Sequence, residues 1–317
     1  MRARATLLLI ASTFAVSSAA VLVVLSGLDA PSIGLWRLGA TVVAFAPFAR
    51  GRIVRVVGAM SRGRRLTLLV AGATYGLHFV WWPMGFERTS YESTVVLLAL
   101  QPVLACVLGL LWLGEPVTRR MGLSIAIAGV GLVLLVAEDY SFRPEHLIGD
   151  GIVIASVLAI VVTVLAGRRL RQELDFAVYV TCIAAVATGT AMVAALTMDA
   201  APLTSSRGAA GWCALALLVA VPTLFGYAGF HYLVKEVPVF YLNLVIVAEP
   251  AIALGLKYGL RGRFEVFRDT ELTTVQLVAS AILLGGVAFG LAERGGAAAT
   301  SPARRADGAA PRREPEG

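Results

Sequence analysis

The chain returns again and again to stretches of about 20 apolar residues, the length an α-helix needs to cross a bilayer core. Ten such runs can be read: Ala5–Leu25, Ser32–Phe48, Leu66–Trp82, Tyr91–Leu113, Met121–Ala137, Ile148–Ala166, Ala177–Thr197, Gly211–Val234, Val239–Leu260 and Thr273–Leu291. The breaks between them are short and hold mostly Arg, Gly, Pro or Asp; the shortest is Lys235-Glu236-Val237-Pro238. The pattern predicts an all-α integral membrane protein with ten transmembrane helices. Composition agrees: 58% of residues are hydrophobic and 15% are charged, against roughly 45–50% and 25% in soluble domains. A water-soluble globule cannot hide that much apolar surface. Three cysteines in 317 residues also exclude a disulfide scaffold.

The formal net charge of +7 would suggest a nucleic-acid partner in a soluble protein. Here the basic residues sit in the breaks between apolar runs, where they set orientation, so no nucleic-acid partner is expected. With both termini cytoplasmic, most of the 27 Lys and Arg residues lie on the inner side. Only Arg88, Arg143, Arg207, Arg261, Arg263 and Arg268 fall in outer loops. The expected location is therefore the plasma or inner membrane, multi-pass. Arg2 and Arg4 ahead of the first run, and Ser17-Ser18-Ala19-Ala20 near its end, also fit a signal peptide. A retained first helix is preferred, because the run exceeds the roughly 7–15 residues of a signal-peptide core. The tail, residues 292–317, is poor in large apolar residues and is expected to be disordered.

The sequence repeats itself weakly. Gln101-Pro102-Val103-Leu104-Ala105 in the fourth run matches Glu249-Pro250-Ala251-Ile252-Ala253 in the ninth, 148 residues later. Glu115 and Gly129 are matched by Glu271 and Gly285. The second half carries extra residues, placed in the arginine-bearing loop 261–268. Five spans per half is an odd number, so the halves enter the membrane in opposite senses. Two inverted five-helix repeats are a common build for secondary transporters. The implied organisation is a first repeat over 1–137, an outer linker at 138–147, a second repeat over 148–291 and the tail 292–317.

These features resemble the EamA family of the drug/metabolite transporter superfamily. The resemblance rests on Gln101-Pro102-Val103-Leu104-Ala105, on Leu113-Gly114-Glu115-Pro116-Val117-Thr118, and on Gly122 and Gly129-Val130-Gly131. Trp36-Arg37-Leu38 and Glu249-Pro250 add to it. It covers about residues 5–291. The departure is Arg261-Gly262-Arg263-Phe264-Glu265-Val266-Phe267-Arg268, which stands where a Gly-Glu turn is expected. The resemblance implies a transporter with a central pathway between its halves, often one that exports amino acids or other small metabolites. It implies a small-molecule substrate, a lipid bilayer around the protein and protons as the candidate coupling ion. Oligomeric state, substrate identity and direction stay open.

Polar groups inside a span are costly and usually face the bundle interior or a cavity. Glu249, mid-span before Pro250, is the first candidate for a proton or substrate-amine site. A structural carboxyl bonded near the proline kink is the other reading. Gln101 is its counterpart, and Thr94, seven residues earlier, is expected on the same helix face. Pro102 and Pro250 are candidate hinges. Tyr75, His78 and Trp82 share one face of the third span, and Tyr227 and His231 one face of the eighth. They are read either as an aromatic pocket for an organic amine or as an interfacial belt. Arg37 and Asn243 complete the candidate pathway. For Arg37, snorkelling outward is favoured over binding a substrate carboxylate. Cys106, Cys182 and Cys213 are read as packing residues. Gly72 with Gly76, and Gly286 with Gly290, have the spacing of close helix contacts.

No HExxH, GxSxG or Walker loop occurs, and the three histidines form no metal-ligand cluster. The acidic groups Glu138-Asp139 and Glu145-His146-Asp150 are read as a solvated outer face. No enzyme activity, cofactor or metal is expected. The resulting reading is a secondary active exporter that rocks its two halves about a mid-membrane site, with proton coupling through Glu249. The alternatives are a gradient-free facilitator and a non-transporting membrane scaffold or regulator.

Overall fold

A computed structural model describes residues 3–139, 146–269 and 273–299. Among the described residues it is entirely helical. The long helices are α1 (Arg4–Ser26), α2 (Ala30–Ala49), α3 (Arg62–Arg88), α4 (Tyr91–Leu113), α5 (Arg119–Asp139), α6 (Leu147–Leu170), α7 (Phe176–Thr197), α8 (Gly208–Leu233), α9 (Val239–Leu260) and α10 (Thr274–Ala299). Eight are long and apolar enough to span a membrane; α3 and α5 are the two outside that set. The chain is a multi-pass membrane protein. The break at 235–238 is real: α8 stops at Leu233 and α9 starts at Val239. Helix α10 runs on to Ala299, past the expected boundary at 291. The remainder of the tail lies outside the described residues, as does Glu145.

Helices early in the chain pack chiefly against late ones. Helix α3 lies along α6 and α7, α2 along α7, α1 along α8, and α5 along α10. Lipid offers no hydrophobic drive for this, so close backbone approach has to supply it. Gly72 and Gly76 do so on α3: a Cβ at either would come within 2.5 Å of the Val186 side chain or 2.7 Å of the Ala187 carbonyl on α7. Gly286 and Gly290 play the same part on α10 against Ala128 and Ser124 of α5. Both glycine pairs match the sequence expectation.

Prolines shape three of the helices. Pro102 and Pro250 leave the carbonyls of Leu98 and Ile246 without their usual donor. In α4 and α9 alike, a 3₁₀ turn repairs this: Leu97–Leu100 lets the Gln101 N–H reach Leu98, and Val245–Ala248 lets the Glu249 N–H reach Ile246. In α8 the segment Val219–Tyr227 is wound as a π-helix around Pro222. There the Thr223 hydroxyl donates to the Leu218 carbonyl at 2.7 Å.

Two ties close the ends of the bundle. At one end Arg168 of α6 lies 3.6 Å from Glu115, just after α4. Its guanidinium also donates to the carbonyls of Val234 and Lys235 at 3.0 and 2.6 Å. At the other end Lys257 of α9 pairs with Glu92 of α4 at 2.9 Å and stands over the Tyr91 ring. The loop after α9 is not idle. It forms a short 3₁₀ turn, Glu265–Phe267, and buries Phe267 against Val21, Leu25 and Ala214.

Three sequence readings are corrected. Asp150 is not on a solvated face; it is buried in α6 and accepts a hydrogen bond from Thr89 Oγ1 at 2.7 Å. Cys213 is exposed, whereas Cys106 and Cys182 are buried as expected. Arg37 does not snorkel outward; it is 1% exposed and turned into the bundle.

Candidate functional site

The broken helices converge on a small cavity. Helix α4 contributes Leu98 and Gln101, α6 Ile160 and Val164, α8 Tyr227, Phe230, His231 and Val234, and α9 Leu242, Asn243, Ile246 and Glu249. The cavity volume is about 30 Å³, room for a water or two in a polar site. The conformation is therefore closed around its centre.

Glu249 is the one ionisable carboxyl on this wall. It is 2% exposed, and among the described residues it forms no ion pair and its Oε1 has no hydrogen-bond partner. An unpaired polar atom buried in a low-dielectric interior is costly. Gln101, its counterpart in α4, is 5% exposed on the same wall. Asn243 turns its amide back to its own helix and donates to the Val239 carbonyl at 2.8 Å.

Behind Tyr227 lies the aromatic face of α3. His78 joins two helices: Nδ1 is 2.8 Å from Ser156 Oγ on α6, and Nε2 is 3.0 Å from the Tyr227 hydroxyl. Tyr75 packs edge-on to Tyr227 and His231. Trp82 stacks on His78 and donates from Nε1 to the Thr94 carbonyl at 3.3 Å. Arg37 sits on another side of Tyr227. Its Nε donates to Thr223 Oγ1 at 2.8 Å, its guanidinium lies 4.2 Å over the Phe79 ring, and Nη2 has no partner. A guanidinium held on aromatic faces keeps favourable contacts in a dry interior.

Of the nine sequence candidates, then, Glu249, Gln101, Asn243 and Tyr227 meet on the cavity wall. Tyr75, His78 and Arg37 pack against Tyr227 from behind. Trp82 and Thr94 pair with each other away from the cavity. Thr94 leaves the Gln101 face because the 3₁₀ turn between them winds faster than an α-helix, about 80° extra over four residues. His231, expected on the same face of the eighth span as Tyr227, is buried on the wall as well. Ser156, Thr223 and Phe79 were missed. Only their four-residue or helical spacing from known polar positions could have pointed to them.

Residues 3–137 match the model of the EamA-like transporter family. The family expected from the sequence is thereby found over that segment. Among solved structures, one crystal structure, described only as that of a protein, is similar over 93% of this chain and 99% of its own. Its TM-score is 0.70 at 20% identity, a likeness of fold. No curated protein matches the chain.

Proposed function

Taking residues 3–137 as an EamA-like segment of the drug/metabolite transporter type, we propose that this protein is a secondary transporter that exports small metabolites, amino acids first among them. The observation that carries this is Glu249: a buried carboxyl with an unpartnered oxygen, on the wall of a closed cavity, at the start of a helix broken by proline. Unwound helix segments at mid-membrane are where transporters of this build bind substrate and coupling ion.

Several features support two inverted five-helix repeats. The α–3₁₀–α break recurs at a spacing of 148 residues in α4 and α9, down to the bond that repairs the proline. Helices α4 and α9 hold equivalent positions around the cavity. The cross-chain packing of α3 on α6 is mirrored by that of α1 on α8. Rocking of one repeat against the other would expose the cavity to each side in turn. Ties at both ends, Glu115–Arg168 and Glu92–Lys257, suit such a cycle. Proton coupling is assigned to Glu249, which alternates between holding a proton and holding substrate. The topology that goes with this puts both termini in the cytoplasm.

The test is transport in sealed inside-out vesicles, using labelled amino acids and small amines with and without an imposed proton gradient. Gradient-dependent accumulation supports the coupled exporter. Accumulation to equilibrium alone replaces it with a facilitator. No uptake above protein-free vesicles rejects this substrate class and favours a scaffold.

A further inference from the structure

The cavity wall carries a second polar atom without a hydrogen-bond partner: Nε2 of His231. His231 follows Tyr227 by one turn of α8, and its ring packs edge-on to Tyr75 and Tyr179 at 5.0 and 5.5 Å between centroids. Nδ1 lies 3.4 Å from the Tyr179 hydroxyl. Tyr179 is fully buried, and this is the contact its hydroxyl makes. A phenol hydrogen in a dry interior needs an acceptor, and here the acceptor at hand is Nδ1. The neutral imidazole then carries its own hydrogen on Nε2.

Two buried side-chain atoms of the wall thus lack partners and complement each other: Glu249 Oε1 as an acceptor and His231 Nε2–H as a donor. The Arg37 guanidinium is a cation that could also meet an anion. It stands outside the wall, with Nε held by Thr223 and its guanidinium stacked on Phe79. We infer that His231 is the specificity-determining residue of the site: Nε2–H takes a carboxylate oxygen of an amino-acid-like substrate, while Glu249 takes its ammonium group. This rests on the transporter reading above. A decarboxylated amine would leave Nε2–H unpaired, and a site built to bond a group rejects the analogue that lacks it. The backbone of His231 is held in place by Arg171, whose Nε donates to its carbonyl at 3.3 Å.

The experiment is calorimetric titration of the purified full-length protein in detergent with leucine and with isopentylamine, its decarboxylated counterpart. The wild type should bind leucine about tenfold more tightly, the worth of one hydrogen bond to a charged group. His231→Phe should bring that ratio close to one by weakening leucine about tenfold more than the amine. His231→Gln, whose amide keeps a donor, should recover part of the preference, and it carries the test if the phenylalanine variant fails to fold. A leucine preference that survives in both variants, or an equal loss for both ligands, reduces His231 to packing. A wild type that binds the two ligands equally overturns the role of His231 and leaves the transporter reading standing. A wild type that binds neither overturns the amino-acid reading and the His231 assignment together.

Discussion

Helices α4 and α9 share a backbone and differ in almost everything else. Each runs as an α-helix, tightens into a 3₁₀ turn, and restarts at a proline. Helix α9 is buried on every side from Val239 to Pro250, whereas α4 shows exposed positions such as Val103 and Val107. At the break α9 presents Glu249 and α4 presents neutral Gln101. After the break α4 ends in a tight turn: Gly114 takes φ +66°, its N–H bonds to Leu110, and the Glu115 N–H bonds to Gly109. Helix α9 instead runs into a loop that docks Phe267. The comparison teaches that the shared Pro-bearing motif governs where the backbone breaks, while the carboxyl at the break is placed in α9 alone. A stretch buried all round belongs in the centre of a bundle, and in Val239–Pro250 Glu249 is the one acidic or basic side chain.

The largest expected effect tests the two endings. Phe267→Ala should destabilise the protein by about 3 kcal/mol, the cost of deleting a buried phenyl ring. Thermal unfolding in detergent would show it; an unchanged transition would mean that the loop does not hold α9 in place. Next comes the asymmetry at the break. Glu249→Gln makes α9 chemically like α4 and should lower gradient-driven accumulation about 100-fold, roughly 2.7 kcal/mol. Normal transport at every pH in that variant would end the coupling proposal, and uptake in Gln101→Glu/Glu249→Gln vesicles would show whether the carboxyl works from either helix.

A smaller effect separates the two prolines. Pro250→Ala should slow exchange about tenfold and Pro102→Ala clearly less, because straightening the fully buried helix disturbs more neighbours. Equal rates in the two variants would remove the distinction. The smallest effect is expected at the ends. Arg168→Ala and Lys257→Ala should each cost about 1 kcal/mol or less in stability, as partly exposed ion pairs do. Cysteine-labelling rates near Glu115 and Glu92 should nevertheless rise at the end that has lost its tie. Rates that rise equally at both ends in each variant would mean that the ties act on the whole bundle.

Much of the fold was legible because hydropathy and backbone chemistry are local. Apolar runs mark the helices, prolines mark the breaks at 102 and 250, and glycines at 72, 76, 286 and 290 mark close crossings. The repeat at Gln101-Pro102 and Glu249-Pro250 even located the cavity, since both residues line it. What escaped depends on how helices are turned against one another. Thr94 left the face of Gln101 because an intervening 3₁₀ turn changed the phase. Asp150 was read as solvated, and is instead covered by the end of α3 with Thr89 bonded to it.

By itself, then, the sequence determined a membrane-spanning helical bundle, the places where its helices break, and the lone mid-span carboxyl. Tertiary structure decided which polar groups find partners. Arg37 turns inward because Pro222 forces a π-turn that offers it the Thr223 hydroxyl. His231 keeps a bare nitrogen on the cavity wall because Tyr179 approaches only its other side. Apolarity is a property of a stretch of chain, but a hydrogen bond needs two groups, and the second arrives here from more than 50 residues away.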